Sequence, residues 1–305
     1  MKAAVLGKPI VHSLSPALHR AAYRALGLTG WTYDLVECDA AGLADYVRER
    51  GPEWAGLSLT MPLKRTVLPL LDHVDQLAAA TGGANTVVFR PEGRYGYNTD
   101  LQGIVDALTE AGCAGPASAG PASAGPASAG PDDAGPDDAG PASAGPGSVT
   151  ILGAGATACS ALAAVGALGG SGAEVVVRDP SRADDLLATA ARLGLQVRLR
   201  PWEDLKSDDL VVPDLLISTA PAGAADAYAQ RVRLTHQAPR AVLDVVYHPW
   251  PTPLAQAAAA AGSVVVSGYA MLLHQAAAQV ELMTGKPAPL EAMRAAGEQE
   301  LASRT

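Results

Sequence analysis

The chain has 305 residues, 49% of them hydrophobic and only 4% aromatic, with a mean hydropathy of +0.14. That length suits two domains, with interiors filled largely by alanine and few aromatic platforms on which bases could stack. Thirty-one acidic residues against 22 basic ones give a net charge of −9, which disfavours nucleic acid and anionic membranes as partners.

Residues 2–6 predict a first strand, stopped by Gly7 and Pro9. Ser15 followed by Pro16 predicts an N-cap with proline at the first helical position, opening a helix that runs to Gly27. That cap does not explain Ser13. Two hydroxyls beside a helix N-terminus, with its free N–H groups and positive dipole end, suit a ligand carboxylate as well as they suit capping alone. A second strand is expected at Trp31–Cys38 and a helix over 41–50.

The stretch Gly56-Leu-Ser-Leu-Thr60-Met-Pro-Leu-Lys64 alternates apolar and polar residues, predicting the end of a half-buried strand. Pro62 ends the ladder and the run from Lys64 to Leu68 can turn into a helix. Thr60 and Lys64 then stand together at the carboxyl edge of a sheet, where open α/β sheets bind ligands. A lone lysine there is ordinarily a solvated charge. Asn98-Thr99-Asp100 adds a carboxylate in a similar setting, and a Lys64–Asp100 pair in a cleft can deliver a proton and stabilise a developing alkoxide. Between them lie a helix over 72–80, a strand led in by Asn85 and a hairpin turn at Arg90–Arg94. Asn85 reads as a turn residue or as a contact to the same cleft.

A helix over 102–111 ends at Gly112. From Gly115 to Gly145 the pentad Gly-Pro-Ala-Ser-Ala repeats, varied twice to Gly-Pro-Asp-Asp-Ala. Its period is not collagen's and it contains nothing that fills a core, so residues 115–147 are expected to be a disordered insert with no chemistry. Ordered sequence resumes at Val149 with strand, glycine turn and helix, Gly153-Ala-Gly155-Ala-Thr157-Ala158. Gly153 makes the turn, Gly155 admits a pyrophosphate, and Ala158 lets the helix pack on the strand. A second strand, Ala173–Val177, ends in Arg178-Asp179-Pro180-Ser181-Arg182. The two arginines favour the 2′-phosphate of NADP, while Asp179 leaves NAD possible. Three further strands end in small or polar residues, among them Ser218-Thr219 and Asp244–Tyr247. Gly268 opens a final helix on which Met271 and Gln275 share a face, and spacing alone makes Met271 a core residue and Gln275 solvent-facing. Cys38, Cys113 and Cys159 form no CxxC and read as thiols of a reducing compartment, and the scattered histidines predict no metal. Met1–Gly7 is no signal peptide and no apolar run reaches membrane-spanning length, so a cytoplasmic location is expected.

In chain order, Ser13-Leu-Ser15-Pro16, Ser58-Leu-Thr60-Met-Pro-Leu-Lys64, Gly83-Ala-Asn85-Thr86 and Asn98-Thr99-Asp100 resemble motifs of the shikimate dehydrogenase family. Gly153-Ala-Gly155-Ala-Thr157, Asp244-Val-Val-Tyr247 and Gly268-Tyr-Ala-Met271-Leu-Leu-His-Gln275 continue the resemblance, which covers nearly everything outside the insert. It implies an α/β fold: an N-terminal α/β substrate domain (1–101 plus 268–305) and a Rossmann-like NADP-binding domain (102–267), with an interdomain cleft between them. The implied activity is NADP-dependent reduction of 3-dehydroshikimate to shikimate, in a monomer or homodimer. Lys64 and Asp100 would be the catalytic pair. Ser13 and Ser15 would take the substrate carboxylate, and Thr60, Asn85, Tyr247 and Gln275 the ring. Gly153, Ala154, Gly155, Ala156, Thr157, Arg178, Arg182, Ser218, Thr219, Gly268 and Met271 would contact the cofactor. Ser58 departs from the asparagine of many members, and Asp179 from their polar, uncharged residue. Quinate or dual quinate/shikimate oxidation is the nearest alternative, and a non-catalytic NADP(H) sensor on the same fold is the alternative of another class. Retention of both Lys64 and Asp100 weighs against the sensor.

Overall fold

A computed structural model describes residues 1–113, 145–206 and 211–304. The insert expected at 115–147 therefore lies outside the described residues, apart from 145–147. The first part of the chain runs β1 (Lys2–Gly7), α1 (Ser15–Ala25), β2 (Thr32–Glu37), α2 (Leu43–Arg48), β3 (Trp54–Leu59), α3 (Leu63–Thr66), β4 (His73–Val74) and α4 (Gln76–Thr81). It continues through β5 (Thr86–Arg90), β6 (Gly93–Tyr97) and α5 (Asp100–Glu110). These strands form a six-stranded sheet of order β2-β1-β3-β5-β6-β4, parallel at β2-β1-β3 and antiparallel at β3-β5-β6. Period-two alternation along β1 sends Ala3 and Val5 to one face, among Leu18 and Tyr23 of α1. Ala4 and Leu6 go to the other, among Leu43, Val47 and Leu63.

The rest runs β7 (Val149–Leu152), α6 (Ala156–Ala167), β8 (Gly172–Val177), α7 (Asp184–Leu193), β9 (Gln196–Pro201), β10 (Leu215–Ser218), α8 (Asp226–Thr235), β11 (Ala241–Asp244), α9 (Pro253–Ala260) and β12 (Val264–Ser267). All pairings in this second sheet, of order β12-β11-β10-β7-β8-β9, are parallel. Both faces are covered, as parallel sheets require. Ile151, Val175, Ile217 and Leu243 pack against α5, α6 and α7, while Leu152, Val176, Leu216 and Val242 pack against α8 and α9. Each fully buried aliphatic side chain contributes roughly 1.5–3 kcal/mol.

Two long helices close the chain, α10 (Gly268–Thr284) and α11 (Leu290–Ala302). Helix α10 returns to the first sheet, lies along α5 and also packs against α1 and α11. The approach of α10 to α5 is tight at Gly103, where a Cβ would stand 2.6 Å from the Met271 carbonyl oxygen and 2.9 Å from Gln275 Cβ.

Several sequence expectations change. Helix α1 begins with Ser15 itself, and Leu14 occupies the cap position without a side-chain hydrogen bond, so Ser15 is not the N-cap. The Lys64 strand is buried at all six positions rather than half-buried, because its polar Ser58 has buried hydrogen-bond partners. The helix expected from Asp72 starts only at Gln76, after the short strand β4, because the Asp75 carboxylate accepts the Ala78 N–H and caps it there. Helix α11 follows what the sequence presented as the last helix.

Candidate active site

The ends of β1 and β3, the first turn of α6, the loop after β11 and the first turns of α10 enclose a cavity of about 350 Å³. Ser13, Ser15, Thr60, Lys64, Asp100, Thr157, Tyr247, Gly268, Met271 and Gln275 all line it. Ten residues chosen by motif, scattered from 13 to 275, thus meet in one place.

Lys64 reaches the cavity from α3, the short helix that Pro62 allows after β3. Its ammonium hydrogen-bonds to Asp100 Oδ2, and the two side chains are 14% and 5% exposed. Asp100 is the first residue of α5, so its charge sits at the positive end of that helix, and its backbone N–H donates to Asn98 Oδ1 at 3.1 Å. Asn85 is 1% exposed and stands behind the cavity lining. Its Nδ2 donates to Asp100 Oδ1 at 2.7 Å, to Thr99 Oγ1 at 3.0 Å and to Gln275 Oε1 at 3.2 Å. Gln275 is buried, against the solvent-facing position expected from spacing, because α10 presses that face onto α5 and Asn85.

At the other end of the cavity, Ser13 Oγ accepts the Ser15 N–H at 3.3 Å, so Ser13 rather than Ser15 supplies the hydroxyl that meets the helix start. The loop carrying them is tied down by Arg304, which donates to the carbonyl oxygens of His12 at 2.6 Å and Ser13 at 3.4 Å. Nothing in the spacing of the first sixteen residues points to that arginine. The Tyr247 hydroxyl also donates to the His12 carbonyl oxygen at 3.5 Å, and burial pushes its phenol pKa up.

The nucleotide edge is assembled differently. Gly153 has φ +106°, which only glycine adopts freely, and a Cβ there would lie 2.7 Å from Thr219 Oγ1. Thr219 is itself fixed by donating its hydroxyl to the Leu152 carbonyl oxygen at 2.8 Å. A Cβ on Gly155 would meet nothing within 4 Å, so the space before the N–H groups of Ala156 and Thr157 is open to an anionic ligand. Ser218 is 1% exposed beside Asp244, whose carboxyl pKa is raised by burial. Arg178 and Arg182 lie exposed past the end of β8. Between them Asp179 turns back on itself, accepting from the backbone N–H of Ser181 at 3.0 Å and its hydroxyl at 2.6 Å, which lowers its pKa. Gly153, Ala154, Gly155, Ala156, Arg178, Arg182, Ser218 and Thr219 lie away from the cavity, along the carboxyl edge of the second sheet, and Thr157 bridges the two regions. The residues present fit a dinucleotide phosphate.

Motif reasoning passed over Gly103, His19 and Gln279, and it gave Thr86 and Asn98, which stand inside quoted motifs, no role of their own. Gln279 was findable, since Met271, Gln275 and Gln279 form an i, i+4, i+8 stripe on α10. Asn98 joins the two halves by donating to Ser160 Oγ on α6 at 3.1 Å.

An α/β protein with two sheets, a glycine turn built for a dinucleotide and a Lys–Asp pair in the cleft belongs to the two-domain nucleotide-dependent dehydrogenase class. Comparison narrows it. The family model described as "Shikimate dehydrogenase substrate binding domain" matches residues 5–87, and that described as "Shikimate 5'-dehydrogenase C-terminal domain" matches residues 268–296. The chain is 32% identical to the shikimate dehydrogenase (NADP(+)) of Synechococcus sp. (strain JA-2-3B'a(2-13)), over 98% of this chain and 95% of the other. It superimposes on the crystal structure of Mycobacterium tuberculosis shikimate dehydrogenase with a TM-score of 0.80 and 40% identity, covering 98% of this chain and 99% of that one. The Thermus thermophilus enzyme, solved with NADP(H) and shikimate, gives 0.74 and 28%, covering 98% and 99%. The chain belongs to the shikimate dehydrogenase family.

Proposed function

We propose that this protein catalyses the reversible NADP-dependent reduction of 3-dehydroshikimate to shikimate. The observation that carries the reading is that the Lys64–Asp100 pair opens onto the same cavity as the Ser13–Ser15 loop and Thr157 of the nucleotide turn. NADPH, when bound, supplies the hydride that adds to the ring carbonyl carbon. Lys64 Nζ donates a proton to the carbonyl oxygen as alkoxide charge develops there, and Asp100 Oδ2 keeps the ammonium aimed. In the reverse direction the same pair receives the hydroxyl proton. Ser13 and Ser15 hold the substrate carboxylate, Thr60, Tyr247 and Gln275 face the ring, and Asn85 acts from behind through Asp100 and Gln275.

On the cofactor side, the helix start at Ala156 and Thr157 takes the pyrophosphate. Arg178 and Arg182 meet the 2′-phosphate, and Asp179 is drawn away into its own turn by Ser181. Residues 1–101 with 268–305 make the shikimate-binding domain and 102–267 the nucleotide domain, the cut falling within α5. The reading extends to a cytoplasmic enzyme, monomeric or homodimeric. No helix among the described residues is long and apolar enough to cross a membrane.

The test is to follow NADP+ reduction by the purified protein with shikimate, with quinate and with neither. Turnover with shikimate is expected. Comparable rates with both acids would widen the substrate to quinate, and cofactor binding without turnover would turn the reading into a sensor.

A further inference from the structure

In and behind the cavity wall, five hydrogen bonds in series all donate toward Asp100. The direction of each follows from two side-chain amides that the backbone fixes. Gln279 Nε2 donates to the Asn85 carbonyl oxygen at 3.3 Å, so Gln279 Oε1 is the acceptor end of that amide. Asn85 Oδ1 accepts the Thr99 backbone N–H at 2.9 Å, so Asn85 Nδ2 is the donor end. His19 Nε2, 3.3 Å from Gln279 Oε1, must then carry the ring proton, and His19 Nδ1 accepts the Tyr23 O–H at 3.4 Å. Gln279 Nε2 donates to Thr86 Oγ1 at 2.9 Å and Thr86 donates to Asn85 Oδ1 at 2.8 Å. Asn85 Nδ2 completes the series at Asp100 Oδ1, 2.7 Å away, leaving Oδ2 for Lys64.

Tyr23, His19, Gln279, Thr86 and Asn85 are each at most 2% exposed, so these bonds are shielded from bulk water. His19 is also stacked on Tyr33 with 4.0 Å between ring centroids, which fixes its plane. We propose that His19, Gln279 and Thr86 are positioning residues of the reaction, a one-way chain that holds the Asn85 amide on Asp100 and thereby aims its other carboxylate oxygen at Lys64. The proposal rests on the catalytic reading of Lys64 and Asp100 given above. Bonds aligned donor to acceptor polarise one another, so a break at Thr86, in the middle, is felt at Asp100. Without the Thr86 hydroxyl, Asn85 Oδ1 keeps only its Thr99 partners, and the amide is freer to tilt away from the carboxylate.

Thr86→Val keeps shape and removes the hydroxyl, whereas Thr86→Ser keeps the hydroxyl and removes the methyl. Thr86→Val should lower kcat about tenfold with KM for shikimate changed less than about twofold, while Thr86→Ser stays near the parent. Wild-type kcat in Thr86→Val, or an equal loss in both variants, would overturn the proposal, because either makes Thr86 a packing residue. If Thr86→Val fails to fold, Gln279→Met breaks the chain one bond earlier and should show the same split between kcat and KM. Nitrogen-15 NMR of His19 is independent of turnover. It should show a neutral ring protonated on Nε2, and a proton on Nδ1 would reverse the chain and sink the idea. A parent protein that binds shikimate and NADP+ but turns over neither would instead refute the proposed function, with the NMR result still standing.

Discussion

The carboxyl edges of the two sheets meet at one cleft but are built on opposite plans. On the first sheet's side the proposed catalytic pair is well enclosed and Asp100 is over-determined: it is 4% exposed and bonded through both oxygens and its backbone N–H. On the second sheet's side the groups proposed to hold the cofactor are backbone N–H groups at a glycine turn and two exposed arginines. The difference follows from what each side must do. Proton transfer needs groups held to fractions of an ångström before the substrate arrives, whereas a large, charged cofactor can bring its own binding energy and order flexible side chains around itself. Substitutions on the first edge should therefore act on kcat, and those on the second on affinity.

The sharpest break in that contrast is Lys64→Ala. It should lower kcat by roughly 10²–10⁴-fold while KM for shikimate changes little, because on the proposed reading it removes the proton donor and leaves the Ser13–Ser15 loop alone. Steady-state kinetics decide it, and a raised KM with unchanged kcat would make Lys64 a binding group.

The buried edge should also be sensitive to acid. Burial lowers the His19 pKa from its usual 6.5 to about 3, only partly offset by its bond to Gln279. Tyr23, Tyr33 and Gln279, the groups around the ring, carry no charge at neutral pH. Because the folded value lies below the unfolded one, the neutral ring's contribution is whole above 6.5 and is lost as pH falls toward 3. Unfolding free energy should decline across that window by on the order of a kcal/mol per pH unit from this residue alone. Denaturant titrations of the parent and of His19→Phe at several pH values measure the difference in slope, and parallel curves would mean His19 is not buried neutral.

The same contrast explains what the sequence disclosed. The nucleotide edge was legible from spacing, since strand, Gly153-Ala-Gly155 and helix must occur in that order for the backbone to approach a phosphate. The substrate edge was only half legible. Lys64, Asp100, Ser13 and Ser15 stood out as polar residues in motifs, but the hydrogen bonds behind them involve Gln279, Thr86 and Arg304, brought together by tertiary packing from 86 to 304. Ser15-Pro16 looked like a cap because local chemistry allows it, yet Ser13 Oγ takes the Ser15 N–H instead. Gln275 looked exposed because a helical wheel cannot see that Gly103 lets α10 settle onto α5. Helix α11 has a weak apolar face, with only Met293 and Gly297 buried, so periodicity did not announce it.

On the open edge the effects should be smaller and fall on affinity. Arg178→Ala should weaken NADP+ about tenfold and leave NAD+ nearly unchanged, the expected loss of one charge-assisted contact to a phosphate. Cofactor titrations with both nucleotides check this. An enzyme that prefers NAD+ before mutation would show Asp179 turning away from Ser181 to read the ribose hydroxyl.

The smallest expected effect probes whether the preorganised edge extends to the Ser13–Ser15 loop. Residues 10–14 belong to no helix or strand, so the position of Ser13 depends on what ties that loop down. Arg304 does so with two N–H groups, one on the His12 carbonyl oxygen and one on that of Ser13, and Glu300 holds the guanidinium at 2.9 Å. Arg304→Ala leaves the Ser13 carbonyl to water and the His12 carbonyl to water and the Tyr247 hydroxyl, so stability should fall by only about 0.5–1.5 kcal/mol. The loop then samples positions in which Ser13 no longer faces the carboxylate. KM for shikimate should rise about threefold to tenfold with kcat nearly intact, since Lys64 and Asp100 are untouched. Arg304→Lys should recover only part of the loss, because one ammonium on a flexible stem does not hold two carbonyls in a fixed fork. Kinetics that match the parent in both variants would show that the turn at Ser13 holds its own shape, and that preorganisation stops at the Lys64–Asp100 end of the cleft.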